Sequence, residues 1–170
     1  MKVYGVVGWK NAGKTTLVER LVAEISGRGF SVSTVKHTHH KVDVDQKGKD
    51  SFRHRQAGAR QVILSSASRW AVMTELRGAP EAPLKELLGH LAPVDLVIVE
   101  GYKRDDHPKV EAWRAETGQP LIALEDPTIR AIASNDAPEG ASQRVIGLDD
   151  IPAIADFILS DLGLELRKSA

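Results

Sequence analysis

Gly8-Trp9-Lys10-Asn11-Ala12-Gly13-Lys14-Thr15 carries Gly, Gly, Lys and Thr at the four fixed positions of a phosphate-binding loop. Gly8 and Gly13 let the backbone turn sharply and bring N–H groups up to phosphate oxygens. Those amides, together with the start of a following helix, favour negative charge. Gly8, Asn11, Ala12, Gly13, Lys14, Thr15 and Thr16 are therefore the candidate binders of a purine triphosphate. Lys14 would bridge the β- and γ-phosphates, the Thr15 hydroxyl would ligate Mg²⁺, and Thr16 would reach the α-phosphate. The plainer alternative is a glycine-rich strand-to-helix turn with an exposed lysine.

A carboxylate must complete the metal side. Asp95 to Glu100 reads as a buried strand, and Glu100 stands at its carboxyl end, where ligands bind in parallel sheets. Lys14 and Glu100 are thus the catalytic candidates. The usual residue at this position is Asp, so Glu100 is a departure; its other reading is a strand-end carboxylate that only caps a turn. Further along, Asp136 follows Ala133-Ser134-Asn135 at a late strand end. It would select guanine by accepting from N1 and N2, although Asn-Asp is also an ordinary turn.

Other constellations carry two readings each. His37, His39 and His40 with Asp43 and Asp45 would suit a transition metal or a switch near the γ-phosphate, or form a solvated polar loop. Lys49, Arg53, Arg55 and Arg60 make a basic patch for a phosphate or an acidic partner, or a solvated helix face. Lys103 and Arg104 offer the same choice. Trp9 either packs within the chain or meets a partner.

The elements that must position these residues alternate strand and helix, which predicts an α/β fold with a mostly parallel sheet between helical layers. Val3 to Val7 reads as a central strand. Thr15 to Arg28 places Leu17, Leu21 and Ile25 on one helical face. Ser31 to Lys36 is a second strand, and Asp50 caps a short helix closed by Gly58. Val62–Leu64 and Ala71–Met73 suggest an antiparallel pair, and Pro83 to Leu91 a helix. Apolar pieces follow at Val110 to Trp113, Leu121 to Leu124, Ile129 to Ala133 and Val145-Ile146. Asp149 or Asp150 caps a last helix, and Leu166 to Ala170 is expected to fray. We read residues 1–170 as a single P-loop domain, with a small β appendage around Val62 to Met73 or Val110 to Trp113.

The 170 residues include 23 basic and 23 acidic side chains, so no global field attracts nucleic acid or an anionic membrane. Any anion site must be local. The absence of cysteine excludes disulfides and thiolate metal sites and fits a reducing, cytoplasmic compartment. No leader or bilayer-spanning run is expected.

Four segments together resemble the molybdopterin-guanine dinucleotide biosynthesis adapter family, MobB. They are Gly8 to Thr16, Lys36-His37-Thr38-His39-His40, Gly48-Lys49-Asp50-Ser51 running to Ala57-Gly58-Ala59, and Val97-Ile98-Val99-Glu100-Gly101-Tyr102-Lys103. The resemblance covers the first two-thirds of the chain. It implies a P-loop fold that binds GTP with Mg²⁺, hydrolyses it weakly at most, and assists the guanylyltransferase that joins GMP to molybdopterin. It further implies a homodimer, some prospect of direct molybdopterin binding, and a place for Asp50 near the metal. A nickel-insertion GTPase and a small-molecule kinase are the rival readings. The first lacks its cysteines and its Asn-Lys-x-Asp sequence here, and the second lacks an arginine-bearing lid.

Overall fold

The computed structural model describes residues 1–38 and 43–165. The chain forms two compact units, one made of Met1–His37 with the chain from Leu84 onward, the other within Thr38–Pro83.

In the larger unit six strands form one sheet: β1 (Lys2–Val7), β2 (Val32–Lys36), β5 (Leu96–Glu100), β6 (Lys109–Ala112), β7 (Ile129–Ala133) and β8 (Arg144–Ile146). Their order is β2-β5-β1-β6-β7-β8, and every pairing is parallel. All carboxyl ends therefore share one edge, and the loop after β1 lies at the middle of it.

Strand periodicity of two divides the core. Tyr4, Val6, Leu96, Ile98, Val110 and Ala112 face α1 (Lys14–Gly27) and α4 (Ile151–Asp161), which contribute Leu17, Leu21, Ile25, Ile154 and Ile158. Fully burying a side chain such as Leu21 contributes roughly 1.5–3 kcal/mol. Asp150 caps α4 by accepting from the Ala153 amide at 3.1 Å. The Tyr4 hydroxyl donates to Asp161 at 3.2 Å and ties the end of that helix to the sheet. On the other face α3 (Leu84–Leu88) packs Leu84 on Val97 and Val99.

β6 differs from its neighbours. Val110 and Ala112 enter the apolar core, while Lys109 and Glu111, on the opposite face, are both fully buried. Lys109 donates to Asp126 at 3.3 Å and to the Thr128 hydroxyl and Asp105 carbonyl. Glu111 accepts from the Ile122 and Ala123 amides at 2.9 and 2.8 Å. Leu121 to Leu124 consequently does not form a strand. Its residues Ile122–Leu124 make a 3₁₀ turn, because the Glu111 carboxylate satisfies the turn's first donors.

The smaller unit holds α2 (Asp50–Gln56) and an antiparallel pair, β3 (Gln61–Ser65) and β4 (Trp70–Thr74), in a sheet of their own. Asp50 does not cap α2: the cap position is Lys49, whose carbonyl accepts from Arg53, and the Asp50 carboxylate lies 3.9 Å from Arg53. Arg55 belongs to no solvated patch. Its guanidinium meets Asp43, Asp45 and Glu75 at 2.8, 3.0 and 2.5 Å and ties the unit together. His39, His40 and the residues from Leu166 on lie outside the described residues.

Candidate functional site

The loop between β1 and α1 has the backbone its sequence requires. Gly8 (φ 146°) and Gly13 (φ 91°) occupy conformations that side chains disfavour, and Asn11 is left-handed at φ 66°. At Gly8 the strand β6 also comes close, since a Cβ there would lie 2.4 Å from the Ala112 carbonyl oxygen. Gly13 precedes α1 with no side-chain cap, and the first turn holds no acidic residue. The amides of Lys14, Thr15 and Thr16 thus present an uncompensated positive helix end. Ala12 is buried, with its amide 3.3 Å from the Trp9 carbonyl.

β5 brings Glu100 to this point. The Thr15 hydroxyl donates to Glu100 Oε1 at 2.9 Å. β2 pairs with β5 so that Lys36 is opposite Glu100, and its ammonium lies 3.1 Å from Thr15 Oγ1 and 3.2 Å from the same carboxylate oxygen. A hydroxyl, a carboxylate and a cation converge within hydrogen-bonding distance. This oxygen donor set suits a hard divalent ion that takes its other ligands from phosphate and water.

Lys14 donates to the Trp9 carbonyl at 2.7 Å. Burial holds its ammonium below the ordinary lysine pKa, and Lys103 and Lys36 add to that by repulsion while Glu100 opposes it. Trp9 is itself anchored: its indole N–H donates to the Pro120 carbonyl at 2.7 Å, and the Lys103 ammonium stands 4.0 Å from its ring centroid. Trp9 therefore packs within the chain. An open cavity of about 770 Å³ beside it is lined by Trp9, Lys10, Asn11, Glu116, Thr117 and Gln119.

Asp136 lies just beyond β7, at the same edge of the sheet. Its Oδ2 accepts from the Ala115 amide at 2.8 Å, and its own amide donates to Ser134 Oγ at 3.0 Å. Asn135 next to it donates to Asp149 at 2.7 Å and accepts from the Leu148 amide, which links the ends of β7 and β8. Asp50 belongs to the other unit, at the start of α2, and is exposed. Among the described residues no group of three or more His, Cys, Asp or Glu gathers to hold a metal.

Sequence reasoning did not single out Lys36 or Arg114 as separate contributors. Arg114, after β6, packs its guanidinium against Gly13, and its Nε is buried with no hydrogen-bond partner. Only the strand order could have found these residues, because it places the exits of β2 and β6 beside the loop.

The family model for molybdopterin guanine dinucleotide synthesis protein B, MobB, matches residues 3–135. A molybdopterin-guanine dinucleotide biosynthesis adapter protein from Haemophilus influenzae is 41% identical over 91% of this chain and 85% of its own. One of the same description from Escherichia coli is 37% identical over 89% and 87%. The crystal structure of a MobB homologue from Bacillus stearothermophilus superposes with a TM-score of 0.70 at 29% identity, covering 97% of this chain and all of that one.

Proposed function

This chain belongs to the MobB family, and on that premise we propose that it is a GTP-binding adapter in molybdenum cofactor biosynthesis, assisting the conversion of molybdopterin to molybdopterin guanine dinucleotide. The observation that carries the reading is the meeting of Thr15, Glu100 and Lys36 beside Lys14. Those four groups at the mouth of an uncapped helix suit the triphosphate of a nucleotide with its metal.

Gly8, Asn11, Ala12 and Gly13 shape the loop, and the amides of Lys14, Thr15 and Thr16 receive phosphate oxygens. Lys14 leaves the Trp9 carbonyl for the β- and γ-phosphates. Mg²⁺, when bound, would supply divalent charge that offsets the charge of the phosphates. Thr15 and Glu100 would hold that ion or its waters. Asp136, with one carboxylate oxygen on the Ala115 amide, offers the other to guanine N1 and N2. Hydrolysis, where it occurs, is slow, with Lys14 and Glu100 as its catalytic groups.

The protein's partners on this reading are the molybdopterin guanylyltransferase, molybdopterin itself, and a second copy of this chain. Ile63, Trp70 and Val72 on β3 and β4 are exposed, and Ile63 pairs with Val72, which supports a homodimer. No helix among the described residues is long and apolar enough to cross a membrane; a cytoplasmic location completes the proposal.

Calorimetric titration with GTP and then ATP in Mg²⁺, with Lys14→Ala alongside, tests the core of it. GTP binding that ATP does not match and that the variant loses supports the reading. ATP binding as tight as GTP overturns the guanine assignment and favours a small-molecule kinase.

A further inference from the structure

We infer that Lys103 is a second phosphate-binding cation of this site, carried on the Trp9 ring and directed to the terminal phosphate of a nucleoside triphosphate; this rests on the nucleotide-binding reading above. Trp9 is the common support of two ammonium groups. Its carbonyl accepts from Lys14 at 2.7 Å, and its ring lies 4.0 Å below Lys103. The indole cannot swing away freely, because its N–H is committed to the Pro120 carbonyl at 2.7 Å.

The chain takes an unusual course to bring Lys103 there. Glu100 ends β5 at Thr15, on the metal side of the loop. Two successive left-handed residues follow, Gly101 at φ 99° and Tyr102 at φ 49°. For tyrosine that conformation is disfavoured, and such outliers persist where surrounding structure imposes them. Here the Gly101 amide donates to the Val6 carbonyl at 3.1 Å, and the Tyr102 ring packs on His37 with centroids 4.8 Å apart. The turn carries the next residue, Lys103, over the loop.

Two ammonium groups on one residue repel, and Lys14 is held below its ordinary pKa by burial and then by Lys103. A polyphosphate relieves that repulsion, and a cation–π contact is a weak enough tether to be exchanged for a charge-assisted bond to phosphate. A diphosphate engages Lys14 alone, whereas a terminal phosphate also engages Lys103. The competing role for Lys103 is that of counter-charge to the buried Glu111. That role affects folding and leaves ligand preference unchanged.

The test titrates wild type and Lys103→Met with GTP and with GDP in Mg²⁺ by calorimetry, with thermal denaturation alongside. The inference expects GDP affinity to be unchanged, GTP affinity to fall about tenfold, and Lys103→Arg to recover much of the loss. An unchanged GTP-to-GDP ratio in Lys103→Met overturns it while leaving the nucleotide reading intact. A folded wild type that binds neither nucleotide overturns both. If Lys103→Met does not fold, Trp9 fluorescence in a Trp70→Phe, Trp113→Phe protein decides. A response to GTP that GDP does not elicit supports the exchange of Lys103 from the ring, and equal responses overturn it.

Discussion

Thr15 and Glu100 lie 85 positions apart in sequence, yet the hydroxyl of one donates to the carboxylate of the other at 2.9 Å. The contact exists because β1 and β5 are neighbours in register, with Val6 opposite Glu100, so both strands end at one level. Glu100→Gln keeps an acceptor for Thr15 and removes the charge. Nucleotide affinity in this variant should need about tenfold more Mg²⁺, read by titrating the metal at fixed nucleotide, with little change in affinity when metal is absent.

Gly8→Ala is expected to destabilise the fold by about 2 kcal/mol or more. Its φ of 146° disfavours a side chain, and the new Cβ would meet the Ala112 carbonyl oxygen at 2.4 Å. Urea denaturation measures the loss. Gly118→Ala makes a useful contrast: φ there is also positive, at 62°, but a Cβ meets nothing within 4 Å, so the backbone cost stands alone.

Nucleotide affinity should decline with rising pH before an ordinary lysine would titrate. Lys14 is held below its usual pKa in the free protein, by burial first and by Lys103 next. Phosphate binding favours the charged form and raises that pKa. The Lys14 contribution is therefore complete below the free-protein value and is lost as pH rises through it toward the bound value. Calorimetric affinities across the alkaline range check this, and Lys14→Ala should flatten the profile.

Asp126→Asn is expected to cost about 3–5 kcal/mol, because it leaves the fully buried Lys109 without its carboxylate. Burial alone would raise the Asp126 pKa, but hydrogen bonds from Thr128 and the charge of Lys109 outweigh it and hold it below the usual carboxylate value. The stabilisation is then present above the unfolded carboxylate range and disappears as pH falls through the folded value. Denaturation midpoints between neutral and acid pH should show a loss in wild type that the variant lacks.

Legibility followed the kind of signal each segment carries. The loop from Gly8 to Thr15, the apolar face of α1 and the run Leu96–Val99 each depend on local spacing, and all three were readable. The edge-pairing of Val62–Leu64 with Ala71–Met73 was also readable from alternating short runs. Val110 to Trp113 was readable as an apolar piece, but not its place: offered as a β appendage, it joins the central sheet as β6 between β1 and β7, where the buried Lys109 and Glu111 disguise a core strand. Leu121–Leu124 looks like a strand by composition, and only a distant carboxylate makes it a turn. Asp50 looks like a cap, yet the helix begins at Asp50 itself. Lys36, Lys103 and Arg114 gather at the loop through strand order, which no spacing in the sequence records.

The two buried charges of β6 also act as a key for assembling the sheet. Side chains alternate along a strand, so a slip of one residue exchanges its faces. In the native register Lys109 meets Asp126 and Thr128, and Glu111 meets two amides, while Val110 enters the core beneath α1 and α4. A slipped β6 would drive an ammonium and a carboxylate into that hydrocarbon layer and strand them there without partners. An all-apolar strand would tolerate the error far better. Since the Ala112 carbonyl at the end of this strand fixes how close the loop at Gly8 can approach, the same charges that reject misalignment also set the spacing of the phosphate-binding loop.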